Sequence, residues 1–136
     1  MIHIQLLGKP ISTQHAYWHR VLKKGWKNIV IKYLTADAKK LKQQYIEQIR
    51  YQYRWEIVET PVLIAIKLIF WDKRKRDWDN YHKLSMDALE WTILKDDSQI
   101  INAWVKKFYR KGERGMEILI EDLKDYVGYE DYGYYE

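Results

Sequence analysis

The sequence predicts an α+β fold of mixed α/β character. It reads as a single small domain in the order β-α-β-α-β-β, with a mixed sheet and two helices. Three observations predict it. Residues 2–7 alternate, with Ile2, Ile4 and Leu6 on one face, as a half-buried strand does. From Thr35 to Tyr53 the apolar positions recur at helical spacing. Val62–Trp71 is a short, nearly continuous apolar run of strand length.

The first strand ends at Gly8-Lys9-Pro10, a turn signal. Ser12–Lys27 is polar with interspersed Tyr17, Trp18 and Trp26, and reads as an irregular or hairpin-like excursion into a short strand at Asn28–Leu34. Thr35 suits a helix N-cap, and Asp37 complements the positive end of the helix dipole. The stripe of that helix is Ala38, Leu41, Tyr45, Ile49 and Gln52. Val62–Trp71 is expected to be buried on both faces at its centre. A second helix is expected from about Asn80, with Tyr81, Leu84, Ala88 and Trp91 facing the core. Asp96-Asp97-Ser98 reads as a turn and Gln99–Tyr109 as a long strand. Residues 111–115 then form a hairpin loop into a returning strand at Met116–Ile120. The expected division is a domain at 1–120 and an acidic, Tyr-rich, mobile tail at 121–136.

The chain of 136 residues has no cysteine, which excludes disulfides and thiolate metal sites and fits a reducing, cytoplasmic setting. No secretory signal is expected, because the first eight residues alternate. The longest apolar stretch is interrupted by Lys67 and too short to cross a bilayer, so no membrane partner is expected. The net charge of +5 is unevenly spread. Up to Ile120 there are 23 Lys and Arg against 13 Asp and Glu, and the remaining segment is acidic. A basic body suits a polyanionic partner, because each phosphate contact releases counterions.

The chemistry-bearing segment runs Arg76-Asp77-Trp78-Asp79-Asn80, then Lys83, Asp87-Ala88-Leu89 and Asp96-Asp97-Ser98-Gln99-Ile100. In extended chain, Asp77 and Asp79 share a face and can enter one pocket. Two adjacent carboxylates need a proton or a cation between them. Oxygen-only ligands favour Mg²⁺ or Mn²⁺ over zinc. Lys83, leaning back towards the helix start, would approach a phosphate held there, and Asp97 is a third carboxylate from another element. An Asp-x-Asp pair in isolation also serves as a turn or helix cap. An EF-hand is excluded, since counting from Asp77 puts His82 at the glycine position and Ala88 at the glutamate position. His15 and His19 have helical ligand spacing but no Glu or Cys beside them, so packing or DNA contact is the expectation.

Over Lys73–Ile101 this pattern resembles the RusA-type Holliday junction resolvases, matching Arg-Asp-x-Asp-Asn, the following Lys, Asp-Ala-Leu and Asp-Asp-x-Gln-Ile in order. The resemblance implies catalytic, metal-holding Asp77, Asp79 and Asp97, an essential Lys83, and supporting roles for Asn80 and Asp96. It also implies a homodimer with two metal sites that nicks a four-way DNA junction symmetrically, in recombination and repair. Lys73, Arg74, Lys75, Arg76 and Asn80 are the expected DNA contacts, joined by Lys106, Lys107 and Arg110. Tyr17, Trp18 and Trp78 are candidates for stacking on exposed bases. The chain departs from the family in one place: a glycine turn is common before the Asp-Asp pair, and residues 90–95 contain none. A nuclease for other branched nucleic acids and a non-catalytic DNA-binding homologue are the alternative readings.

Overall fold

A computed structural model of the chain describes residues 1–123. The expected tail therefore lies outside the described residues, apart from its first three. The elements are β1 (Ile2–Leu7), α1 (Thr13–Ala16), β2 (Tyr17–Lys24), β3 (Lys27–Leu34), α2 (Ala36–Gln52), β4 (Val62–Phe70), α3 (Lys83–Leu89), β5 (Ile100–Tyr109) and β6 (Gly115–Asp122). A single 3-10 turn at Asp97–Gln99 precedes β5. The α+β class holds, with a mixed four-stranded sheet in the order β1-β6-β4-β5 and a separate β2–β3 ribbon.

Each element follows from its residues. Ile4 and Leu6 of β1 are buried while their neighbours face outward. Thr35 caps α2 by accepting the Ala38 amide at 3.3 Å, and Ala38, Leu41, Tyr45 and Ile49 bury the helix against the sheet. Truncating one such fully buried large side chain to alanine costs about 2–5 kcal/mol. Gln52, on the same stripe, has a different use. Its amide exchanges two hydrogen bonds with the Gln5 backbone at 2.8 and 2.7 Å, and Gln48 does the same with Leu7 at 2.7 and 3.0 Å. The free edge of β1 is thus satisfied by side-chain amides, which hides the unpaired backbone groups that invite aggregation.

Four expectations need correcting. β4 alternates between buried and half-buried residues, so only one face is fully covered; on the other, Leu63 and Ala65 lie beside exposed Trp104 of β5. β5 and β6 are consecutive but not neighbours, because β4 lies between them, parallel to β5 and antiparallel to β6. Of the two readings of residues 12–27, the irregular one needs correcting and the hairpin-like one holds, since a short helix leads into β2, which pairs antiparallel with β3. The second predicted helix starts at Lys83, not Asn80, and Trp91 has left the core. Trp91 is 66% exposed with φ 63°, and its amide donates to the Leu94 carbonyl at 2.6 Å. It occupies the left-handed turn conformation that glycine would otherwise supply before the Asp-Asp pair. Tyr81 remains half-buried, edge-on to Phe70 with ring centroids 5.0 Å apart.

The close approach of β1 and β6 depends on Gly115. It adopts φ 149°, and a Cβ there would lie 2.2 Å from the Leu6 carbonyl oxygen. Gly115→Ala is expected to lose about 2 kcal/mol. A thermal melt should show the midpoint falling by roughly 6–12 °C; an unchanged midpoint would show that the two strands separate without cost.

Candidate metal and phosphate site

The loop leaving β4 is folded back on itself by one ion pair. Arg76 donates to Asp72 at 2.7 Å, and its guanidinium lies 4.6 and 4.8 Å from the ring centroids of Phe70 and Trp71. Only 9% of its side chain is exposed. The Arg76 hydrogen bond, aided by the Arg74 amide, holds the Asp72 carboxyl below its ordinary pKa. The basic run therefore divides. Arg76 is turned inward as the brace of the loop, while Lys73, Arg74 and Lys75 remain exposed. Lys73 lies 5.1 Å from the Tyr109 ring centroid, and Lys107 donates to the Arg76 carbonyl at 2.5 Å. Lys9, His15, Arg74, Lys75 and Arg76 line a cleft of about 370 Å³ between this loop and the segment before α1. That is a concave, cationic surface of the kind that suits phosphate.

The braced loop presents Asp77, Trp78 and Asp79 to solvent, with Trp78 57% exposed. Trp78 and Asp79 lie in a turn rather than in extended chain. Asn80 anchors the loop: its carbonyl accepts the Thr13 amide at 2.7 Å and the Thr13 hydroxyl at 3.2 Å. His82, next along, is held below its ordinary pKa chiefly by burial, against the opposing field of Asp79. Its Nδ1 is buried without a hydrogen-bond partner.

Lys83 is the first residue of α3, not one turn inside it, and its ammonium runs forward rather than back. It donates to Asp87 at 2.9 Å, and that bond holds its pKa above the ordinary value, helped by the fields of Asp87, Asp97 and Glu90. The other Asp87 oxygen accepts the Tyr17 hydroxyl at 2.8 Å. Burial and this carboxylate push the Tyr17 pKa upward, so it stays protonated. Asp87 thus joins the root of the ribbon to Lys83.

At the far end of α3, carboxylate oxygens of Glu90, Asp96 and Asp97 all lie within 4.8 Å of one another. Asp96 also caps the 3-10 turn, accepting the Ser98 hydroxyl at 3.0 Å, while Gln99 reaches back to the Asp96 amide at 2.9 Å. Glu90 was not among the residues singled out from sequence. It enters because the turn at Trp91 brings the end of α3 beside the Asp-Asp pair, and no local pattern announces that turn. A set of three carboxylates with no nitrogen or sulfur fits a hard divalent cation.

Asp77 and Asp79 do not join that trio. β4 and β5 are parallel, so the loop leaving β4 and the turn entering β5 lie at opposite ends of the pair. The loop 71–82 and the seven residues of α3 together make the return, α3 contributing a rise of about 10 Å. His82 lies in the field of Asp79, and the ammonium of the next residue, Lys83, lies in that of Asp97. His15 and His19 also separate. His15 meets the Ser12 hydroxyl at 2.6 Å in α1, whereas His19 is exposed on β2.

Residues 8–121 match the family described as Endodeoxyribonuclease RusA, and the chain belongs to that family. It is 32% identical over 80 residues to the Crossover junction endodeoxyribonuclease RusA of Aquifex aeolicus (strain VF5), covering 58% of this chain and 64% of that protein. It is 45% identical over 49 residues to the uncharacterized protein YqaN of Bacillus subtilis (strain 168), covering 36% of this chain and 34% of that one. The chain thus spans between a third and two thirds of the length of these relatives. No helix among the described residues is long and apolar enough to cross a membrane.

The brace generates a test. Arg76→Lys keeps the charge but loses the planar fork and the flat stacking on two rings. Chymotrypsin should then cut after Trp78 several-fold faster than in the parent protein under native conditions. Equal cutting rates would show that Arg76 does not hold the loop.

Proposed function

We propose that this chain is a Mg²⁺- or Mn²⁺-dependent endodeoxyribonuclease that resolves four-way DNA junctions by paired, symmetric nicks. The observation that carries the reading is Lys83, whose ammonium lies in the fields of Asp87, Asp97 and Glu90 beside the loop bearing Asp77 and Asp79. A cationic group held among carboxylates suits a phosphodiester, whose charge grows during hydrolysis. The name of the Aquifex relative supports a branched DNA substrate.

Asp97, with Glu90 and Asp96, would hold a divalent cation. Such an ion supplies positive charge to the scissile phosphate and to the attacking and leaving oxygens. The residues of the chain do the rest. Lys83 offsets charge on the phosphate, Asp87 fixes the position of the ammonium, and Lys73, Arg74 and Lys75 hold the neighbouring backbone. Asp77 and Asp79 lie outside the cluster that Asp97 makes with Glu90 and Asp96, and a second copy that supplies one of the two groups would bring them to one phosphate. A two-fold homodimer would then carry two identical sites matched to the symmetry of the junction.

Asp77→Asn, Asp79→Asn and Asp97→Asn are each expected to abolish cutting of an end-labelled four-way junction in Mg²⁺ while leaving binding intact or tighter, since each removes a charge that repels phosphate. Omitting the metal should have the same effect as the substitutions. Mixing the Asp79→Asn and Asp97→Asn proteins should restore single-strand nicking, because one site of the mixed dimer is then intact. Cutting by the parent protein without metal, or of duplex as readily as junction, would sink the proposal. A mixture that stays inactive would place all three acids in one subunit's site.

Lys83→Ala should lower the single-turnover rate at saturating protein by about 10²–10³ with little change in junction affinity. Lys75→Ala should do the reverse, weakening affinity and reducing its salt dependence by about one contact. A saturated rate equal to the parent's would reduce Lys83 to a phosphate clamp.

A further inference from the structure

The β2–β3 ribbon is not explained by the site just described. Each strand has eight residues paired without a break from Tyr17↔Leu34 to Lys24↔Lys27. Only the root pair, Tyr17 and Leu34, is partly covered, and every other residue of the two strands is exposed. At about 3.4 Å per residue the arm extends roughly 27 Å from the body. A free two-stranded ribbon is marginally stable in water, so one this long and this exposed has the character of a surface waiting for a partner.

Its chemistry selects the partner. The chain carries no Asp or Glu before Asp37, so the ribbon's charges, Arg20, Lys23, Lys24, Lys27 and Lys32, are all positive. Two such ribbons packed tip to tip would juxtapose like charges, while the exposed Val21, Ile29, Val30 and Ile31 make a second copy the rival occupant. Against a polyanion the same array is favourable. The tip is a two-residue turn, Gly25-Trp26, with Gly25 at φ 63° and Trp26 104% exposed. An indole held at the end of a cationic arm cannot be buried in this fold, and stacking on a base is the contact that uses it. The root of the ribbon is tied to the nuclease site from both sides. Thr13, just before it, bonds the Asn80 carbonyl, and Tyr17 bonds Asp87, the partner of Lys83.

We propose that the β2–β3 ribbon is a DNA-gripping arm that reads the branch, with Lys23, Lys24 and Lys27 on backbone phosphates and Trp26 stacked on a base pair left unstacked at the junction centre. A two-stranded ribbon has the width to enter a major groove. Anchored where it is, the arm sets the distance between branch point and scissile phosphate. This rests on the proposed nuclease function for its substrate, but not for its test.

The test measures binding of a fluorescent four-way junction and of a matched duplex to the full chain in EDTA, where nothing is cut. The Lys23→Gln/Lys24→Gln/Lys27→Gln protein should show a slope of log K against log[salt] smaller by roughly 2.7, at about 0.9 per charge. Trp26→Ala should bind the junction about 10-fold more weakly and the duplex as before, since the branch point, unlike the interior of a duplex, offers an open base-pair face. Thermal midpoints should match the parent's, because these side chains touch nothing in the fold. Junction affinity and salt slope equal to the parent's would overturn the inference. So would sedimentation showing that both variants lose self-association along with affinity, since a second copy would then cover the ribbon. A parent protein that binds the junction but cuts nothing in Mg²⁺ would refute the nuclease reading and leave the arm standing.

Discussion

The position of β4 at the centre of the sheet decides most of what the molecule can do. Val62–Phe70 pairs in parallel with β5 on one side and antiparallel with β6 on the other. A parallel neighbour demands a crossover, and here the crossover is the loop 71–82, the short helix α3 and the turn at Trp91. Every residue singled out as catalytic lies on that connection. Its two ends carry the two groups of carboxylates, and its helix begins with the lysine that reaches from one towards the other. The buried face of β4, under α2, fixes where the crossover starts and ends, so core packing and site geometry have a common origin.

Charge is managed by the same connection. A cluster of acids beside a surface meant for DNA would repel it, and the structure sets a cation against two of the acids. Arg76 answers Asp72 and stiffens the loop, while Lys83 answers Asp87 within reach of Asp97 and Glu90. Asp87 then accepts a hydroxyl from the foot of the ribbon, so the arm and the catalytic lysine share one carboxylate. A change in the direction of the arm would be felt at Lys83 through two hydrogen bonds.

Much of this was legible in the sequence because it is periodic or local. The alternation of β1, the capped stripe of α2 and the apolar run of β4 each announce an element, and the ordered acids between Asp77 and Asp97 announce the chemistry. What could not be read depends on long-range pairing or on backbone turned against its usual preference. The run Lys73–Arg76 looks uniform as a string, and only the rings of Phe70 and Trp71 select Arg76 as the inward member. Glu90 comes into the acid cluster through a left-handed tryptophan, where the sequence pattern continues a helix. Gln52 lies on an apolar stripe because a strand edge, not a core, meets it there. The insertion of β4 between β5 and β6 cannot be inferred from a loop that has every mark of a hairpin.

The strand order also sets a timetable for synthesis. β1 is made first and pairs with β6, whose residues come more than a hundred positions later. Until Gly115–Asp122 leaves the ribosome, the nascent chain holds a strand with no neighbour on its pairing side. Gln48 and Gln52 close the opposite edge as soon as α2 docks, leaving open only the side that β6 will occupy. Contacts this distant in sequence form late and slowly. A chain interrupted before residue 115 therefore keeps both β1 and β4 unpaired along the gap that β6 fills. Translation must reach β6 before β1 is secure.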